Sequence, residues 1–104
     1  MVTESTLIKV INQVHEINKR SRREQLTNIE RSCERVKNML AEEGIIIHDP
    51  SGEKYDSSRT DCEANIIGGN VLKDLTVTDV IKPVIYVSRN GKREMIQQGL
   101  VIVE

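Results

Sequence analysis

The acidic side chains Asp49, Asp56, Asp61, Glu63 and Asp79 are the first candidates for chemistry in this chain. Paired carboxylates can do general acid–base work, but only at a fixed separation, and nothing in this spacing sets one. His48 adjoins Asp49 and Cys62 adjoins Glu63, yet neither neighbour pair has a base at a defined reach from a nucleophile. Cys33 and Cys62 lie 29 residues apart without a paired C-x-x-C, which is no zinc pattern. Gly68-Gly69 is not followed by Lys-Ser or Lys-Thr, so it is a turn and not a phosphate-binding loop. His15 lies just off an apolar helical stripe with no second catalytic group beside it, which gives it a structural or exposed role. The residues point to a protein that works by binding, with no catalytic residue, no metal and no cofactor.

The composition agrees with a small binding module. The 104 residues contain no Phe and no Trp, and Tyr55 and Tyr86 are the only aromatic rings. The core must therefore be Ile, Val and Leu. A chain this short buries a modest fraction of its surface, which favours a stabilising partner. The formal net charge of -1 argues against a general nucleic-acid binder. Lys19, Arg20, Arg22 and Arg23 form a local basic cluster, but no aromatic residues interleave it, and it reads as a solvated helix junction. No apolar run approaches the length of a membrane span, and no signal peptide is recognisable. Two free thiols and a cytoplasmic location are expected.

The elements that must carry these residues fall into two parts, 1–43 and 44–104. In the first, Leu7, Val10, Ile11, Val14 and Ile17 recur at helical spacing, and so do Leu26, Ile29, Cys33, Val36 and Leu40. The nine-residue step from Ile17 to Leu26 breaks a continuous heptad seam. Ser21 and Glu24 match a capping box, which places helices near 4–19 and 22–43. One bent helix of about 40 residues is the alternative. Gly44 should end the second helix. A lone two-helix hairpin leaves its apolar faces partly wet, and two copies would close a four-helix bundle. The expected dimer seam is Leu7, Val10, Val14, Ile17, Leu26, Ile29, Val36 and Leu40.

In the second part, Ile45–Ile47 reads as a strand and Asp49-Pro50-Ser51-Gly52 as a turn. Lys54-Tyr55 opens a short strand, and 57–61 is a polar surface loop. Residues 63–67 form a strand ended by Gly68-Gly69-Asn70. Leu75–Val77 is ambiguous, because Val77, Val80 and Ile81 have helical spacing but β-branched side chains. Val84–Ser88 is a strand, Asn90-Gly91 a hairpin turn, and Glu94–Gln97 and Leu100–Val103 are return strands. The fold class is α+β: a helical hairpin followed by a small, mostly antiparallel β domain of short strands.

Several segments, taken in order, resemble the GrpE family. Leu7-Ile8-Lys9-Val10-Ile11-Asn12-Gln13-Val14 is similar to the family's Leu-Leu-Pro-Val-Leu-Asp-Asn-Leu, and Met39–Gly44 resembles the helix end before its β domain. Gly52-Glu53-Lys54-Tyr55-Asp56 resembles Gly-Glu-x-Phe-Asp, and Cys62-Glu63-Ala64 resembles His-Glu-Ala. Val77 and Val80 resemble paired valines before a Gly-Tyr, where this chain has Ile85-Tyr86. The resemblance implies a homodimeric nucleotide exchange factor that speeds ADP release from a DnaK-type chaperone. It implies partner contacts at Glu63, Arg89 and Gln97. Gln97 stands where the family has an arginine, and the family's long N-terminal helix has no counterpart in these residues. An adaptor that keeps the fold without exchange activity is the second reading, and a small nucleic-acid-binding regulator the third.

Overall fold

The computed structural model describes residues 2–68 and 74–104. Two helices come first: α1 (Glu4–Arg23) and α2 (Thr27–Glu42). Seven strands follow among the described residues: β1 (Ile45–His48), β2 (Lys54–Tyr55), β3 (Cys62–Ile66), β4 (Leu75–Lys82), β5 (Val84–Arg89), β6 (Lys92–Gln97) and β7 (Gly99–Val103). The chain is thus α+β, with a helical hairpin ahead of a small, mainly antiparallel β unit.

Thr3 caps α1 by accepting a hydrogen bond on its side chain from the Thr6 amide at 3.2 Å. Glu4 in the first turn and Arg20, Arg22 and Arg23 in the last turn complement the helix dipole. The expected capping box at Ser21 does not form. Ser21 is inside α1, buried, and its hydroxyl donates to the Ile17 carbonyl at 2.7 Å. The helix runs one turn further and stops in a Schellman arrangement. The Leu26 amide donates to the Ser21 carbonyl at 2.8 Å and the Gln25 amide to the Arg22 carbonyl at 3.3 Å. Gln25 takes the left-handed conformation, φ 59°, that glycine usually fills there. Leu26 then precedes α2 with no side-chain cap. The basic junction is therefore a helix end followed by a tight reversal, and the two helices are separate.

At the end of α2, Gly44 has φ 83° and its amide donates to the Ala41 carbonyl at 3.0 Å, as a glycine stop should. Its carbonyl accepts from the Ser88 amide at 2.8 Å, which ties the exit of the hairpin to the β unit.

The strands form two sheets, β1-β5-β6 and β2-β4-β7-β3. Only the β3–β7 pairing is parallel among the described strand pairs. Pro83 breaks the chain between β4 and β5 and passes it from one sheet to the other. Glycines 68 and 91 both have positive φ at strand ends, as the turn reading requires. Gly69 and Asn70 of the expected 68–70 turn lie outside the described residues. The segment left ambiguous by sequence is strand β4, with register shifts between Val77 and Asp79 and between Val80 and Lys82.

The β core is Cys62, Leu75, Val77, Val80, Val84, Val101 and Val103, with Tyr55, Ala64 and Tyr86 against it. It is small and β-branched, as a chain without Phe or Trp must build it. Gly99 sits where β7 enters this core. A Cβ there would lie 2.9 Å from Val84 Cγ2 and 3.0 Å from Cys62 Sγ.

Candidate interaction surface

Among the described residues, the densest group of charged side chains centres on Arg59, in the loop between β2 and β3. Its guanidinium donates to Asp61 through Nε at 2.7 Å and Nη2 at 3.1 Å. It also donates to Glu53 at 2.7 Å and to the Lys54 carbonyl at 3.0 Å. His48 completes the row, with Nε2 at 2.8 Å from Glu53. Asp56 starts the loop by accepting hydrogen bonds from the amide and hydroxyl of Ser58. Sequence reading treats 57–61 as a polar surface loop and misses this cluster. Its only sequence signal is one arginine among Ser and Asp residues.

The electrostatics favour a clasp over a reactive centre. Hydrogen bonding from Arg59 holds the Asp61 carboxyl below its usual range, against the opposing effect of burial. Hydrogen bonds to Asp61 and Glu53 raise the Arg59 guanidinium further, so it stays charged. Burial, assisted by the Asp61 charge, pushes the Cys62 thiol up to about 11. A thiol held protonated in this way is a poor nucleophile. Asp49 heads the β1–β2 turn. Burial works to raise its carboxyl, but hydrogen bonds from Ser51 and Arg22 outweigh that and hold it low. Among the described residues, no three His, Cys, Asp or Glu side chains converge as a metal site.

Of the three residues expected to meet a partner, Arg89 and Gln97 stand at opposite ends of the β5–β6 hairpin. Glu63 is exposed on β3, an edge strand of the four-stranded sheet. Arg89 is exposed at the tip of the β5–β6 hairpin and pairs with Glu94 at 3.0 Å and Glu4 at 3.5 Å. Gln97 lies at the far end of β6, about 17 Å along the strand from that tip. It is also occupied. Its amide exchanges hydrogen bonds with Asn12 at 2.9 and 2.8 Å and donates to the Pro83 carbonyl at 2.9 Å.

The helical stripes are divided by the way α1 docks. A polar row of α1 faces the β unit: Glu4, Asn12, His15, Lys19 and Arg22, spaced to share one side of a helix. Asn12 meets Gln97, His15 Nε2 donates to the Val80 carbonyl at 2.7 Å, and Lys19 meets Asp79 at 2.9 Å. Arg22 meets Asp49 at 3.1 Å, and Glu4 meets Arg89. His15 is therefore structural and buried, as its lack of catalytic neighbours implied. In α1, Ile11 is the only apolar side chain fully buried. Much of the apolar stripe is consequently left facing water. Val10 is 52% exposed, Ile17 49%, Leu26 42% and Ile29 41%. Leu7, Val14, Val36 and Leu40 are half-buried, and Cys33 is buried among them.

Of the basic cluster, Lys19 and Arg22 are committed to acidic partners within the chain. An open cleft of about 450 Å³ beside Arg22 is lined by Arg31, Glu34, Lys37 and Asp49, whose mixed signs select no ligand charge. No helix among the described residues is long and apolar enough to cross a membrane. Comparison with models of protein families, with curated proteins and with solved structures finds no match.

Proposed function

We propose that this chain is a GrpE-like co-chaperone, cytoplasmic and homodimeric, that promotes ADP release from the ATPase domain of a DnaK-type chaperone. The observation that carries this reading is the split of the molecule. A helical hairpin presents unburied Val10, Ile17, Leu26 and Ile29, and a compact β unit presents Glu63 and Arg89. The first suits self-association and the second suits a protein partner, in the order that the GrpE-like segments follow along the chain. Exchange would be binding work. The protein must favour the open, nucleotide-poor form of the ATPase over the closed form, and that preference lowers the affinity for ADP.

Stopped-flow release of labelled ADP from the cognate chaperone is the test. A differential preference of ordinary size is worth about 5- to 150-fold in affinity for ADP. Faster release, with ADP affinity lowered on this scale, is the expected result. No acceleration at saturating protein, with the complex present, would remove the exchange mechanism.

One observation favours an adaptor as the second reading. Gln97 occupies the position of the expected arginine contact, lacks its charge, and spends its amide on Asn12 and Pro83. Complex formation without altered ADP release is the outcome that would select it. A nucleic-acid regulator has less support, because acidic partners already engage Lys19 and Arg22.

The dimer has its own test. Two hairpins closing through the exposed stripe would form a four-helix bundle. Ile17→Asp changes a half-wet side chain, so the isolated fold should survive while the seam acquires a charge. Sedimentation equilibrium is expected to show a dimer for the unmodified protein and at least about tenfold weaker association for Ile17→Asp. A monomer across the micromolar range in the unmodified protein would overturn the bundle.

A further inference from the structure

Among the described apolar side chains of the helical half, only Ile11 and Cys33 are fully buried. The buried β cluster contains no helical residue. Outside that cluster, Ile11, 1% exposed, and Cys33, 5% exposed, line one small gap with half-buried Ile47, whose strand partner Ile85 is 0% exposed. The rest of the α1 attachment is polar: Asn12 to Gln97, His15 to the Val80 carbonyl, Lys19 to Asp79 and Arg22 to Asp49. Polar ties exchange readily for water, whereas buried valines do not. Regions with little apolar burial open at lower cost than the global fold.

The outer edge of β4 supplies the second observation. Strand β2 pairs with β4 only at Leu75 and Thr76. Beyond that stretch α1 lies along β4, and His15 takes up the Val80 carbonyl. Such a carbonyl at a strand edge would otherwise seek water or another strand.

We propose that the helical half is a latched strap: it releases from the β unit along the polar row of α1, while the β unit stays folded. Release bares Ile11, Cys33 and the β4 edge from Asp79 to Lys82. The exit at Gly44 remains tied by the Ser88 amide, so the strap stays attached at that point. This device does not depend on the chaperone reading.

The two cysteines are built-in reporters, both free and both buried. Cys33 lies on the inner side of the strap, in α2, and Cys62 lies inside the β core. Thiol labelling of the intact protein, resolved by peptide mass spectrometry, should modify Cys33 at least about tenfold faster than Cys62. The Cys33 rate should also depend less steeply on urea, since less surface is exposed in the partial opening. Asn12→Ala and Lys19→Ala should each raise the Cys33 rate about fivefold, whereas Val101→Ala, inside the β core, should speed Cys62 and leave Cys33 unchanged, because the β unit stays folded in the opened form. Lys92→Ala, exposed on β6, should change neither. Equal labelling rates with one shared urea dependence would overturn the proposal. So would a Val101→Ala variant that accelerates Cys33 as much as Cys62, because release would then be global unfolding.

Discussion

Gly99→Ala is expected to destabilise the fold by about 2 kcal/mol, and Gly99→Val by more. The added Cβ would approach Val84 Cγ2 to 2.9 Å and Cys62 Sγ to 3.0 Å. Neither neighbour has room to retreat. Val84 is 0% exposed and Cys62 4%, and the Gly99 amide is fixed to the Asp61 carbonyl at 2.9 Å. The strain therefore falls on close-packed side chains of the β core. Urea unfolding followed by far-ultraviolet circular dichroism measures the effect as a lower midpoint. Val84→Ala in the Gly99→Ala background should recover part of the loss, because the two sites share one contact. An unchanged midpoint for Gly99→Ala would sink this account of the packing.

Arg59→Ala comes next in size, at about 2 kcal/mol, since it strips the guanidinium from Asp61 and leaves Glu53 with His48 alone. The figure is below that of a fully buried network, because Glu53 is 38% exposed and water screens it. The effect should depend on pH in a defined direction. Asp61 is depressed in the folded protein, first by hydrogen bonding from Arg59. A depressed carboxyl contributes stability above its unfolded value, about 3.9, and loses it as pH falls through the folded value. The gap between wild type and Arg59→Ala should be full at neutral pH and narrow below about pH 4. Denaturant midpoints across pH 2 to 7 supply the check. A gap that stays constant through that range would show that the clasp works by packing and not by charge.

Much of this fold is legible in the sequence where local chemistry alone decides. Gly44, the Asp49–Gly52 turn and Asn90-Gly91 stand where the chain ends a helix or reverses, because each supplies a conformation that few other residues accept. The failures have physical causes. Ser21 and Glu24 carry the composition of a helix start, but Ser21 bonds back to Ile17 and Gln25 makes the reversal without any sequence signal. Val77 and Val80 look helical because a register shift after Val77 lengthens the inward spacing from two residues to three. Leu75, Val77 and Val80 all point into the core. The apolar stripe of α1 correctly marks a helix but not the side that docks, since that side is chosen by polar partners up to 85 residues away. Gln97 is the instructive case among the expected contacts. A resemblance transfers a position, and only the three-dimensional neighbours show that its amide is spent on Asn12.

Strand β7 carries an ambiguity that Gly99 resolves. After the glycine it reads Leu-Val-Ile-Val, four apolar residues in succession, with no polar member to mark an outer face. Shifted by one residue, it would offer Leu100 and Ile102 to the core in place of Val101 and Val103, with little loss of hydrophobicity. The strand therefore holds almost no information about which way it should face. Its neighbours β3 and β4 both align on it, so an error would spread to three strands. The narrow space between Val84 and Cys62 admits a residue without a Cβ, and this stretch of chain offers one such residue. Gly99 thus acts as an address: a position defined by what it lacks tells the sheet which side of β7 is inside.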